Sequence, residues 1–221
     1  MRIFSRKLLI SSGSEQMEYY FHACTKPPNV VRNFSQPYYA NGQMSADNLF
    51  QPTLLIDKSR IQEIYDLRVD VWEHSAKQEF VNRRLFPKGW FDELDQLGHN
   101  FIVTDTNKII AAARLNCFNT LKSFPFYEDI KQVGLPADLP FGYYSRLVVS
   151  ENYQGKGISQ KLDQAIIGHA TNLKLKWIVG LSSNRTNIMV QKLNFINHGT
   201  ANIRYHNNSN FHLVDVIIKH L

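Results

Sequence analysis

Cysteine is almost missing from this chain: Cys24 and Cys117 are the only two among 221 residues. Two isolated thiols make neither a disulfide framework nor a zinc-ligand spacing, and they leave a reducing, cytoplasmic compartment as the expectation. None of the eight histidines has a second histidine four residues on, so no metal site is expected. The apolar run Leu8-Leu9-Ile10 is too short for a signal peptide core, and nothing approaches a membrane-spanning length. Lys plus Arg outnumber Asp plus Glu by 25 to 19, but the basic residues are scattered and form no stripe of the kind that tracks a nucleic acid. Repeats and low-complexity tracts are absent as well. Aromatic residues are plentiful, with 14 Phe, 10 Tyr and 3 Trp, which argues for a packed core and against disorder.

Pro27-Pro28, Pro37 and Asn41-Gly42 break up residues 1–50, where the pattern predicts only a short helix near Glu15–Phe21. This stretch reads as an N-terminal extension laid over the main domain, without assigned chemistry. From residue 51 to 221 the patterns sharpen into one domain. Thr53–Ile56 reads as a strand. Ser59 with Gln62 reads as a capping box opening a helix that carries Ile61, Ile64, Tyr65, Arg68 and Trp72 at three-and-four spacing. Phe86–Trp90 reads as a turn, and Asn100–Thr104 and Ile109–Arg114 as a hairpin through Asp105–Lys108. Gly142–Val149 is the clearest strand. An apolar stripe from Ile158 to Leu173 predicts a helix, Trp177–Leu181 a strand, Asn187–Leu193 a helix and Phe211–Ile218 a closing strand. That order predicts an α/β layered domain rather than a strict βαβ series.

The segment with chemistry in it is the junction between the strand ending at Val149 and the helix opening at Ile158. Gly155 and Gly157 permit backbone conformations closed to other residues and let a ligand approach the main chain. The first-turn amides of the helix and the positive end of its dipole add a site suited to pyrophosphate. Lys156 contributes a point charge and Ser159 a hydroxyl. The spacing is neither that of a P-loop nor that of a Rossmann fingerprint. A glycine turn that merely joins strand to helix is the plainer alternative.

The run Arg146–Ser159 resembles motif A of the GNAT (N-acetyltransferase) superfamily, Arg/Gln-x-x-Gly-x-Gly/Ala after an apolar strand, with Gln154, Gly157 and Ser159 at its defining positions. Gln191-Lys192-Leu193-Asn194-Phe195 resembles the Lys-Leu-Gly-Phe-like string of the family, with Asn194 where Gly is usual; Asn tolerates the left-handed conformation of a helix end. Leu67-Arg68 and Ala111–Leu115 resemble the first helix and third strand. The resemblance covers residues 51–221.

This resemblance implies a mixed, mostly antiparallel central sheet flanked by helices, its strands splayed at an acyl-CoA cleft. It implies direct transfer of an acetyl group from acetyl-CoA to a small amine, a peptide N-terminus or a lysine, with no covalent enzyme intermediate and no role for Cys24 or Cys117. Backbone groups of Leu147, Val148 and Val149 would hold pantetheine. Gln154, Gly155, Lys156, Gly157, Ile158 and Ser159 would hold the pyrophosphate. A main-chain N–H within Leu147–Val149 would polarise the thioester carbonyl, with Tyr144 and Ser145 beside it on the same strand. The family's usual proton donor, a Tyr, would stand at Val190; Tyr143, Tyr144, Tyr153 and Tyr205 are substitutes, unless they simply pack. Asp92, Glu93 and Asp95, or Glu73 and His74, would face the acceptor, whose pocket would be built by residues 79–98 and 119–139. A longer-chain acyltransferase, compatible with Arg68, Arg114 and Arg146, is the nearest alternative. A non-catalytic acyl-CoA-binding module is another. Oligomeric state stays open between monomer and homodimer, and neither nucleic acid nor membrane is expected as a partner.

Overall fold

A computed structural model describes residues 5–12, 15–22, 49–75, 78–204 and 211–221. Ser5–Ser12 (β1) and Glu15–His22 (β2) pair as an antiparallel hairpin, so the short helix expected near Glu15 is a strand. Cys24 and Tyr205 lie outside the described residues.

The other strands are Thr53–Leu54 (β3), His99–Asp105 (β4), Lys108–Phe118 (β5), Phe141–Val149 (β6), Trp177–Ser182 (β7), Ile196–Ile203 (β8) and His212–His220 (β9). They form one sheet in the order β3-β4-β5-β6-β7-β9-β8. The only parallel pair among them is β6 with β7; the others are antiparallel. A parallel pair needs a crossover, supplied by the helix Ile158–Asn172 (α4, numbered after α1 to α3 below). The mixed sheet with flanking helices is the expected fold class.

Strand periodicity decides which face each helix covers. Phe101 and Val103 on β4 and Ala111 and Ala113 on β5 point to one side, where they pack against Ile158, Leu162 and Ile166 of α4 and Met189 and Leu193 of α5 (Thr186–Leu193). Ile102, Ile109, Ala112 and Val148 point to the other and meet Ile64 and Leu67 of α1 (Ile61–Glu73). Two one-turn helices, Leu94–Leu97 (α2) and Tyr127–Ile130 (α3), sit in the connections. At the far end Phe141 stacks on Trp177 at 4.2 Å.

Ser59 does not cap α1: its N–H and hydroxyl both donate to Asp57, which caps a 3-10 turn at Lys58–Arg60, and α1 starts at Ile61 without a side-chain cap. Gln62 turns to Asp66 and the Lys88 carbonyl. The strand β8, which carries Gly199 and several polar residues, was not anticipated. Asn194, in contrast, ends α5 in the left-handed conformation (φ 55°), and the Phe195 N–H closes back on the Met189 carbonyl at 3.1 Å.

Candidate active site

Strands β6 and β7 share only four rungs, from Phe141–Trp177 to Tyr144–Gly180. Beyond Tyr144, β6 continues to Val149, and its ladder with β7 ends at the Tyr144–Gly180 rung. The other edge of β6 stays paired to β5, but Ala113 is opposed by both Arg146 and Leu147, a bulge made possible by the left-handed backbone of Arg146 (φ 59°). The bulge re-aims the main chain where the strands part.

A cavity of about 730 Å³ occupies this opening. Tyr144, Arg185, Met189 and Ile217 line it on the α4/α5 side, and Trp72, Phe86 and Trp90 on the α1 side, so it passes between the separating strands. Its walls are mainly aromatic and aliphatic, as small-molecule sites usually are.

On the α1 side of the cavity, charge enters through a chain of ion pairs. Arg68 makes two bonds to Asp95, at 2.9 and 2.8 Å. Arg114 reaches Asp95 at 2.7 Å and also binds Asp92. Asp92 in turn takes Arg146 at 2.6 Å, and the Arg146 guanidinium lies 3.8 Å from the Trp90 ring centre. Arg68, Asp95 and Arg114 are almost wholly buried. Burial alone would raise the pKa of both carboxyls, but the guanidinium groups outweigh it and hold them below the ordinary carboxylate range. Asp92 and Asp95, expected to face an acceptor, are therefore partners of the arginines. Of the three acidic residues expected there, Asp92 and Glu93 line the cavity, Glu93 exposed, and Asp95 is buried. Glu73 and His74 do not line the cavity; Glu73 accepts from the Arg83 N–H.

The residues expected to act on the thioester are together on β6. Leu147 and Val148 line the cavity through the bulge, and the Val148 side chain is buried against α1. The Ser145 hydroxyl accepts from Arg114 Nε at 3.2 Å. Tyr144 is on the wall, but its hydroxyl donates to Asp163 at 2.5 Å, and burial followed by the Asp163 charge pushes its pKa well up. Tyr153 donates to Asp105 at 2.6 Å, off the cavity; Tyr143 lines the cavity, packed among Phe124 and Phe126. Val190 is half-buried on α5.

The glycine loop lies past the end of the cavity. Gly155 and Gly157 take φ of 75° and 74°, and a Cβ at either would meet nothing within 4 Å, so their faces are open to a ligand. Gly157 is the N-cap of α4 and offers no side-chain acceptor, which leaves the first amides of the helix free of an intrahelical partner. Gln154 folds back to the Val149 carbonyl at 3.2 Å, and Lys156 lies 4.8 Å from the Tyr153 ring centre. Val149 and Ser159 are half-buried, while Ile158 is buried, its side chain part of the core.

Trp72, Asp163 and Arg185 were not anticipated at the site, whereas Trp90 falls in the 79–98 segment expected to build the acceptor pocket. One signal was present: Asp163 falls between Leu162 and Ile166 on the apolar stripe of α4, where a lone carboxylate needs a partner.

A model of the acetyltransferase (GNAT) family matches residues 61–195. The chain belongs to this family. Among solved GNAT-fold structures, the CoA-dependent acyl-homoserine lactone synthase BjaI superposes with a TM-score of 0.56 at 13% identity, covering 77% of this chain and 83% of BjaI. FeeM, an N-acyl amino acid synthase from uncultured soil microbes, gives 0.53 at 9% identity, with 76% and 88% covered. A Corynebacterium glutamicum protein described as histone acetyltransferase HPA2 and related acetyltransferase gives 0.52 at 16%, with 76% and 96% covered. At these identities the likeness to each is one of fold. No curated protein matches the sequence. Among the described residues there is no group of three or more metal-ligating side chains, and no helix is long and apolar enough to cross a membrane.

Proposed function

We propose that the domain spanning residues 51–221 is an acyl-CoA-dependent N-acyltransferase that moves an acyl group directly from the thioester to a primary amine. The observation that carries this reading is the separation of β6 from β7 after Tyr144, with the Arg146–Leu147 bulge on the wall of a cavity that crosses the sheet. An extended pantetheine arm fits there as an added strand. Main-chain groups of Leu147, Val148 and Val149 hold it, and one N–H of that stretch faces the thioester oxygen, where charge develops during attack. The open amides from Gly155 to Ser159 take the pyrophosphate, aided by Lys156, while Gln154 keeps the loop closed onto Val149. Ser145 and Tyr144 act through their partners, fixing Arg114 and Asp163. Glu93 stands on the wall as the group that attracts an ammonium acceptor and passes its proton to water.

Acetyl-CoA is the smallest donor for such a site. The aromatic wall of Trp72, Phe86 and Trp90 on the acceptor side favours the second reading, a donor with a longer apolar acyl chain. The experiment is release of free CoA from a series of acyl-CoA thioesters, acetyl to dodecanoyl, with a panel of primary amines. Amine-dependent release supports transfer, and its chain-length optimum selects between the donors. Tight CoA binding with no release under any pairing would leave a binding module instead.

A further inference from the structure

At the position where the family places a proton donor this chain has Val190, and the phenols of Tyr144 and Tyr153 are committed to Asp163 and Asp105. The β7 side of the cavity carries a cation instead. Arg185, just ahead of α5, binds Asp163 through Nη1 at 3.2 Å and Nη2 at 2.8 Å. Asp163 is 1% exposed and takes the Tyr144 hydroxyl as well. A guanidinium has five N–H donors. The carboxylate engages one on each terminal nitrogen, and the Arg185 side chain keeps 24% of its surface open on the cavity wall. Its location along the cleft is equally specific. Through Asp163 it is tied to Tyr144, the last rung that β6 shares with β7. The glycine loop begins beyond Val149, about 17 Å further along the strand at ~3.3 Å per residue. Arg185 therefore stands near the apex of the opening, on Asp163, which lies about 9 Å along α4 from Gly157 at 1.5 Å per residue.

We propose that Arg185, oriented by Asp163 and Tyr144, stabilises the departing CoA thiolate as a fixed cation rather than as a proton donor. The inference rests on the acyl-transfer reading above. In the step concerned, the amine nitrogen bonds to the carbonyl carbon and its surplus proton goes to water. As the carbonyl reforms, the C–S bond breaks and its electron pair stays on sulfur, beside the guanidinium. Arg185 keeps its own proton: burial works against its charge, but the bonds with Asp163 and Tyr144 outweigh that and raise its pKa. The thiolate takes a proton from solvent after release. A cation held in place beforehand needs no reorganisation when the charge appears.

The test is calorimetric titration of the whole protein with CoA and with desulfo-CoA, from about pH 6 to about pH 9, across ordinary thiol ionisation. Affinity for CoA is expected to rise with pH, with proton release on binding, while desulfo-CoA stays flat. Arg185→Met should abolish the rise and leave desulfo-CoA affinity within about threefold; Arg185→Lys, which keeps the charge, should retain part of it. In turnover, Arg185→Met should slow alkyl thioesters by roughly 100-fold, and aryl thioesters, whose thiolates need little help, only a few-fold. Equal loss of affinity for CoA and desulfo-CoA would assign Arg185 to the phosphates and overturn the inference, as would pH-independent CoA binding by the unaltered protein. If Arg185→Met fails to fold, the comparison of the two ligands on the unaltered protein decides alone. Failure to bind either ligand would remove the acyl-transfer reading and this one with it, whereas binding without the pH signature removes this one only.

Discussion

Gly157 combines a left-handed backbone with open space where a side chain would stand. Gly157→Val strains that backbone and fills the space beside the first amides of α4. Affinity for CoA is expected to fall by about 2 kcal/mol, roughly thirtyfold, in a protein that still folds. Titration calorimetry beside circular dichroism checks it, and unchanged affinity in a folded variant would remove the phosphate-loop reading. The buried ion pairs behave differently, because their loss touches the fold. Asp95 is the shared partner of Arg68 and Arg114, all three with side chains at most 1% exposed. Asp95→Asn leaves surplus buried positive charge and is expected to cost about 3–5 kcal/mol of stability by chemical denaturation. The two residues also differ in how far sequence reveals them. Gly157 announces itself through its neighbours in the chain. The partners of the arginines lie 27 residues away for Arg68, 22 for Arg114 and 54 for Arg146, so only the fold brings each carboxylate to its guanidinium. Read locally, Asp92 and Asp95 look like an amine-attracting mouth; the fold pairs both with arginines, Asp95 buried and Asp92 still on the cavity wall.

Elements whose neighbours in the sheet bury them on both sides were legible, because burial writes an apolar or alternating pattern into the strand itself. β6 and the β4–β5 hairpin are of that kind. Among the described residues β8 is an edge strand paired only to β9, with a register shift between Asn197 and Thr200, and its exposed face is free to be polar. β2 owes its strand form to β1, a pairing that a local helical reading of Glu15–Phe21 cannot weigh. Contacts between elements carry a pH dependence that sequence also hides. His99 opens β4, and its Nδ1 lies 3.1 Å from Nε2 of His169 in the last turn of α4. Burial, then the charge of His169, pushes the pKa of His99 down to about 4 from 6.5. The folded state thus prefers the neutral ring, and between these two values the unfolded chain binds the extra proton. Stability from this contact is full above pH 6.5 and is lost as pH falls toward 4. The expected loss is about 1–3 kcal/mol, read as a falling melting temperature, and His99→Gln should flatten the slope by half or more. A slope unchanged in His99→Gln would show that the histidine pair does not tie α4 to the sheet.

At the scale of the whole molecule, the bulge in β6, the short pairing of β6 with β7 and the α1-side aromatic wall come from segments far apart in sequence, yet they bound one continuous space. The size of that space, unlike its main-chain lining, is set by side chains on the segment following α1, which is where acyl-chain preference is expected to reside. Val81 lies there, 3% exposed and on the cavity wall. Val81→Phe adds roughly three to four carbons' worth of volume to the wall without touching Leu147–Val149, Arg185 or the glycine loop. Filling a void rather than a packed core should cost little stability, about 1 kcal/mol or less. Turnover with long-chain acyl-CoA is expected to fall by about tenfold relative to acetyl-CoA, because one or two displaced methylenes at about 0.8 kcal/mol each account for a change of that order. Affinity for free CoA should stay within about twofold, since none of its contacts is altered. The decisive measurement is the ratio of kcat/KM for decanoyl-CoA and acetyl-CoA in the two proteins. If the ratio does not move while CoA still binds, the aromatic wall serves the acceptor amine and the acyl chain lies elsewhere in the cleft.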